Sequence, residues 1–172
     1  VSQSAASIPT KMRMTVRELI SLGTISTRDM FSIRRRKNDA SVVRAMELVG
    51  LSDLADMDIA RLSGGQRQRA VIGRALASNA ELLIFDEPLV NVDRSSRNGI
   101  LKLLDDLCHN ENKTLLMVSH DLTAIRQSAH RVIYLDGKIQ FDGKTSEIPD
   151  LSGLAGLVGL EHVHEQANQE EE

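Results

Sequence analysis

LSGGQRQRAVIGRALASNAELLIFDEP, Leu62 to Pro88, sets a helix start against a buried strand within one short stretch. Ser63 and Gln66 have the S-x-x-Q spacing of a capping box, in which each side chain takes the other residue's backbone N–H. The same turn, Leu62 to Gln66, could instead form a site for a phosphate group. The first amides of a helix have no partner inside it and carry the positive end of its dipole, and Gly64 and Gly65 place no side chain in the way. The two readings are compatible, because the same exposed amides serve both. Arg67 and Arg69 add positive charge nearby, although Arg69 could equally pair with the acidic edge of a sheet.

Residues 67 to 78 continue as a helix, and LLIFDE (82 to 87) follows as an apolar run without alternation. Such a run predicts a strand covered on both faces. Arg94 to His109 predicts a helix with Ile100, Leu101, Leu104 and Leu107 at core-facing spacing. TLLMVSH (114 to 120) predicts a second buried strand, and Asp121 to Ser128 a short helix. In RVIYLDGKIQFDG, Asp136 and Gly137 lie between apolar segments, the signal of a hairpin. The order strand, helix, strand, helix, strand is α/β, with the first two strands parallel.

The preceding residues are of another character. TVRELISL (15 to 22) predicts a helix capped by Thr15 with Glu18 closing the box, and NDASVVRAMELVG (38 to 50) one stopped by Gly50. Between them runs Arg34 to Lys37, read as a solvated loop, with anionic headgroups or a membrane partner as its sharper use. Residues from Gly153 to Glu172 turn Gly-rich and then acidic and are expected to fray. His162 and His164 in that tail are read as solvated rather than as metal ligands. The expected organisation is a helical part at 1–60, a part that carries the chemistry at 61–150, and a tail at 151–172.

Composition narrows the function. Apolar residues make up 41% and charged residues 26% of the 172, with a net charge of −3. That balance gives no general basic field for nucleic acid. Phe31, Phe85, Phe141 and Tyr134 are the only aromatics, too few for base-stacking platforms. Cys108 is the single cysteine, which excludes an intrachain disulfide and thiol-rich zinc clusters. The N-terminal residues lack the apolar stretch of a signal peptide.

Chemistry-bearing residues cluster at strand ends. Asp86 and Glu87 close the first predicted strand, where ligands of parallel sheets gather. Asp86 there can hold Mg²⁺, and Glu87 can polarise an attacking water. His120 closes the second predicted strand, placed for contact with a phosphate or with the water of Glu87. Each also has a bland reading, a strand-end turn before Pro88 and a hydrogen-bonded histidine.

Together, LSGGQRQRAVIGRAL, LLIFDEP, NVD and LLMVSHD resemble the signature motif, Walker B strand, D-loop and switch histidine of ABC-type ATPases. They stand in the family's order, at intervals of about twenty, six and thirty residues. The resemblance implies a truncated ABC-type P-loop NTPase fold: a helical subdomain, the C-terminal part of a RecA-like parallel sheet core, and a terminal hairpin. It implies ATP and Mg²⁺ as ligands. Ser63, Gly64, Gly65 and Gln66 would face the γ-phosphate of ATP bound by a second subunit. Asp86 would hold Mg²⁺, Glu87 would be the general base, Asp93 the D-loop carboxylate at the dimer interface, and His120 the γ-phosphate sensor. VSQ at the start is similar to the strand and glutamine of the Q-loop, which makes Gln3 a Mg²⁺ and water contact. Two departures are Asn91, where the D-loop commonly has a small residue, and Gly73, where an Ala is common.

The family also needs a Gly-rich phosphate loop with a Lys. Gly143-Lys144-Thr145 offers its ending, but Lys138 stands where the leading Gly belongs, and a hairpin precedes it. A turn with a helix cap at Thr145 is the better reading. The resemblance therefore implies that the nucleotide loop lies upstream of Val1, and hydrolysis by these residues alone is not expected. The helical part is most similar to importer subunits for manganese, zinc or iron. The expected protein is the ATP-hydrolysing subunit of an importer on the cytoplasmic face of the membrane. Its partners would be a second copy, membrane permease subunits and, indirectly, a solute-binding protein, without nucleic acid. A degenerate module that donates only its signature face, and a soluble ABC ATPase acting on nucleic acid, are the alternatives.

Overall fold

In the computed structural model, residues 13–25 and 40–148 are described; Gln3, the Arg34–Lys37 run, His162, His164 and the tail lie outside them. Two compact units divide the chain, meeting in sequence at His120 and Asp121.

Helix α3, Gly64–Ala77, is the centre of the first unit. It starts at the Ser63 cap and buries Ala70, Val71, Ile72, Gly73, Leu76 and Ala77. Helix α1, Val16–Ser21, and helix α2, Ala40–Leu48, both pack against it. The start of α1 has both arms of the predicted box. Glu18 N–H donates to Thr15 Oγ1 at 3.2 Å and Thr15 N–H to Glu18 Oε2 at 3.0 Å. The end of α2 is set by Gly50 in the left-handed region, φ +65°. Gly50 N–H there donates to Glu47 O and Leu51 N–H to Met46 O, the paired bonds that close a helix C-terminus on a left-handed residue. Val16, Leu19, Ile20, Val42, Ala45 and Met46 are buried between these helices and α3.

Residues 14 to 17 and 55 to 59 are stitched by backbone bonds from Val16 N to Met57 O, Arg17 N to Ala55 O and Ile59 N to Met14 O. These bonds and an antiparallel bridge between Thr15 and Asp58 fix the start of α1 against the chain that leads into α3.

Strand β1, Leu82–Asp86, pairs in parallel with β2, Thr114–Val118, from Leu82 opposite Thr114 to Asp86 opposite Val118. Helix α4, Arg94–His109, connects them with the predicted residues Ile100, Leu101, Leu104 and Leu107 buried, and it packs on β2. The expectation that the strands are covered on both faces is not met. Leu83 and Phe85 are buried, but Leu82, Ile84, Leu116 and Val118 are each about half exposed. Side chains alternate along a strand, so an apolar run makes two apolar faces, and the described residues cover one of them.

In the second unit, helix α5, Leu122–Ser128, is capped by Asp121 Oδ1 accepting from Ala124 N–H at 3.0 Å. Strands β3, Arg131–Asp136, and β4, Lys138–Lys144, form the predicted antiparallel hairpin around Gly137 at φ +64°. A register shift between Tyr134 and Leu135 marks a bulge, and Arg131 grips Asp142 with two bonds of 2.8 Å. The expected cap at Thr145 moves back one residue. Lys144 precedes the short 3-10 turn Thr145–Glu147, its N–H donating to Glu147 Oε2, while the Thr145 hydroxyl donates to Ala129 O. The segment is thus tied into a hairpin end, as its rejection as a phosphate loop requires. Among the described residues no helix is long and apolar enough to cross a membrane.

Two glycines on the α1–α3 seam should respond differently to alanine. A Cβ on Gly23 would stand 1.8 Å from the Arg74 carbonyl oxygen, which is backbone and cannot step aside. A Cβ on Gly73 would meet the Ile20 side chain at 3.0 Å, while alanine raises helix propensity by about 1 kcal/mol. Urea denaturation should show Gly23→Ala destabilised by about 1–3 kcal/mol or more and Gly73→Ala near wild type. Equal losses would contradict this packing.

Candidate functional site at the strand ends and the start of helix α3

β1 ends at Asp86, and the next residue leaves the strand sharply. Glu87 has φ +49°, a conformation uncommon outside glycine and asparagine and one that persists only when its surroundings fix it. Four contacts do so. Its N–H donates to Val118 O at 2.9 Å. Its Oε1 accepts from His120 N–H at 3.0 Å and lies 2.6 Å from His120 Nδ1, and its Oε2 accepts from the Ser119 hydroxyl at 3.4 Å. A carboxylate only accepts, so Nδ1 carries the proton and, in the neutral ring, Nε2 is the acceptor nitrogen. The Glu87 side chain is 14% exposed and that of His120 79%. The sequence placed a water or phosphate beside His120; the ring reaches the carboxylate directly. Ser119 was missed, its only signal being its place just before His120.

Asp86 is half-buried opposite Val118 at the end of the ladder. Its carboxylate supplies the hard oxygen that Mg²⁺ prefers, so the residue fits that ion.

At the start of α3, Ser63 Oγ accepts from Gln66 N–H at 3.2 Å and Gln66 Oε1 accepts from Ser63 N–H at 2.9 Å. The predicted capping box is therefore complete, and it engages the Gln66 side chain. Gly64 is exposed, but Gly65 is buried. The two glycines of the turn therefore differ in exposure. A Cβ on Gly65 would lie 2.4 Å from the Ser96 side chain, so this glycine makes room for a neighbour in its own chain. Arg67 turns to the Leu62 carbonyl at 3.4 Å. Arg69 lies against Gly50 and Gly99, a filler between helices rather than a partner for the sheet's acidic edge.

Asp93 caps α4. Its Oδ1 accepts from the Ser95 hydroxyl at 2.6 Å and from Ser96 N–H at 2.9 Å. The Ser95 hydroxyl first, then the Ser96 amide and hydroxyl, hold this exposed carboxyl well below the usual aspartate range. Asn91 has φ +61°, which explains its presence: asparagine is among the few side chains that tolerate this region. Cys108 is no activated thiol. Burial, and then the charge of Asp105, push it up, away from the thiolate that reactivity needs.

The sequence-predicted residues thus fall into two groups. Glu87 and His120 touch, with Asp86 adjoining. Gly64 and Gly65 meet the Asn91–Ser96 segment that carries Asp93, and residues 88 to 92 join the groups along the chain.

A parallel βαβ pair with an anchored acidic strand end, beside a capped glycine turn, is the arrangement of an ATP-binding cassette. The family model for ABC transporters matches residues 2–90, more than half of the 172, and the chain belongs to that family. It is 37% identical over 147 residues to the zinc uptake system ATP-binding protein ZurA of Listeria monocytogenes, covering 86% of this chain and 57% of that protein. It is 35% identical over 148 residues to the ferric enterobactin transport ATP-binding protein FepC of Escherichia coli K12, covering 86% and 55%. A solved inward-facing ABC transporter, assigned to the metal-chelate type, aligns with TM-score 0.77 and 27% identity over 87% of this chain and 60% of its own. The chain spans a little over half the length of these curated relatives.

The Asp93 cap has a pH signature. Its folded carboxyl ionises below the ordinary 3.8, so its contribution is full above that value and is lost as pH falls through the depressed one. Thermal midpoints of wild type and Asp93→Asn should therefore differ most near neutrality and converge as pH drops past 3.8. A gap that stays constant through this range would refute the assignment.

Proposed function

We propose that this chain is part of an ATP-hydrolysing subunit of an ABC importer, acting as a dimer beneath membrane permease subunits on the cytoplasmic face. Residues 1–60 are its Q-loop and helical subdomain, 61–150 the signature, Walker B, D-loop and switch-histidine portion, and 151–172 a tail. The solute class is a divalent metal ion, delivered by a solute-binding protein. The zinc uptake relative, at 37% identity, supports that class, while the ferric enterobactin relative, at 35%, names a chelate of a trivalent metal, so identity alone does not choose between them.

One observation carries the reading. The Glu87 carboxylate is nearly buried at the end of β1, next to Asp86, and is held at 2.6 Å by His120. Glu87 takes the proton of a water as its oxygen bonds to the γ-phosphorus and the bond from that phosphorus to the β–γ bridging oxygen breaks, releasing ADP, and His120 fixes the carboxylate that does so. Asp86 and Gln3 would hold Mg²⁺, which would neutralise charge on the phosphate oxygens. Ser63, Gly64, Gly65 and Gln66 face the γ-phosphate of ATP held by the second copy, with Asp93 at the same interface. A second reading is a module that supplies only its signature face, the exposed Gly64 in the turn capped by Ser63, to ATP held elsewhere.

Both readings are testable in the full-length gene product. Glu87→Gln keeps an acceptor for His120 N–H but loses the base, so steady-state hydrolysis should fall about 10²–10⁴-fold with ATP binding retained. Unchanged turnover would remove Glu87 from its role, and a wild type that binds no ATP yet completes an active partner's site would establish the second reading.

Ser63→Arg places a long cation where the partner's phosphate is proposed to sit and also removes the cap. It should abolish ATP-dependent dimerisation in size-exclusion chromatography, while Ser63→Ala, which loses the cap alone, should cost about 1 kcal/mol of stability and still dimerise. Normal dimerisation of Ser63→Arg would contradict the phosphate role.

A further inference from the structure

The starts of α3 and α4 meet along a seam of alternating small and large residues. A Cβ on Gly64 would lie 3.1 Å from the Asn91 carbonyl oxygen. On Gly65 it would lie 2.4 Å from both Cβ and Oγ of Ser96, a separation real side chains do not reach. One turn further on, the relation reverses: a Cβ on Gly99 of α4 would lie 2.5 Å from a guanidinium nitrogen of Arg69 on α3. Small on α3 thus meets a side chain of α4, and then large on α3 meets a glycine of α4. Ser96 is also a partner of Asp93, through its backbone N–H at 2.9 Å. The residue that fills the notch at Gly65 therefore holds the Asp93 carboxylate as well.

We propose that Ser96 is a positioning residue, locking the signature turn Ser63–Gln66 to Asp93 so that both present one rigid face to the nucleotide of a second copy. The proposal rests on the functional reading above and goes beyond it in assigning Gly65 a reason inside its own chain. Gly65 is required because Ser96 occupies the space, and loss of the contact uncouples two elements that must reach the partner together. Asn91 contributes by its left-handed backbone, which carries the loop from Glu87 down onto Gly64.

A size exchange in the full-length gene product tests this. Gly65→Ala should lower Tm by about 5 °C and raise the ATP concentration needed for dimerisation roughly tenfold. Adding Ser96→Gly removes the two atoms at 2.4 Å and leaves the Cα of residue 96 at 3.7 Å from the new methyl, and it should restore most of the Tm and most of the dimerisation. Ser96→Gly alone should leave the ATP affinity of the isolated subunit unchanged while weakening dimerisation severalfold, a split that a purely structural role would not produce. Recovery of neither property in the double variant would overturn the contact. Recovery of Tm without dimerisation would overturn the positioning role, because it would place the need for Gly65 at the nucleotide. A wild type that binds ATP without dimerising would defeat the functional reading and the positioning role together. The Tm comparison would still report the Gly65–Ser96 contact by itself, so the two failures are distinguishable.

Discussion

Close approach to α3 is the constraint on which the first unit depends. Gly23 lets the end of α1 come down on the Arg74 carbonyl, Gly73 admits Ile20 and Val49, and Gly65 admits Ser96. Each contact replaces a side chain on one element by the body of another, which is how a chain with four aromatics reaches dense packing. The consequence for the site is direct. Helix α3 as a whole is set by α1 and α2, and its N-terminal tip by the Asn91–Ser96 segment, which stands against Gly64 and Gly65.

The strand ends work by a different physics. Glu87 sits in a backbone conformation that isolated glutamate rarely adopts, and the bonds from β2 and the residues after it compensate. Its amide extends the parallel ladder to Val118, and its carboxylate receives Ser119 and His120. Backbone and side chain are therefore fixed by the same neighbouring strand. Any shift of β2 against β1 would move the carboxylate and the imidazole together, which preserves their mutual geometry while changing what they face. The left-handed turn also explains why Asp86 and Glu87, adjacent in sequence, differ in setting: Asp86 finishes the ladder, and Glu87 folds back toward His120.

Much of this was legible in the sequence because local rules dominate there. The capping boxes at Thr15 and Ser63, the stop at Gly50, the span of α4 and the hairpin at Gly137 each follow from side-chain chemistry within a few residues. The strand pairing followed from order alone. The contacts between Glu87 and Ser119 and between Gly65 and Ser96 were not legible, since they join residues whose separation carries no periodic signal. Spacing also failed on solvent cover. LLIFD reads as buried on both faces, and half of it is exposed, because an apolar strand records which faces suit burial and not which element supplies the cover.

The signature glycines show most plainly how a motif and a packing requirement share residues. A pattern such as SGGQ, read for phosphate, assigns both glycines to the ligand. The geometry divides them: Gly64 is exposed with its space limited by Asn91, and Gly65 is filled by Ser96. A glycine in a motif can therefore be required by packing inside its own chain. Substituting it disturbs the turn through the neighbour it displaces, here a serine whose backbone N–H also holds Asp93. The same substitution would read as lost binding in an activity assay and as lost packing in a melt, and compensation from α4 separates the two causes.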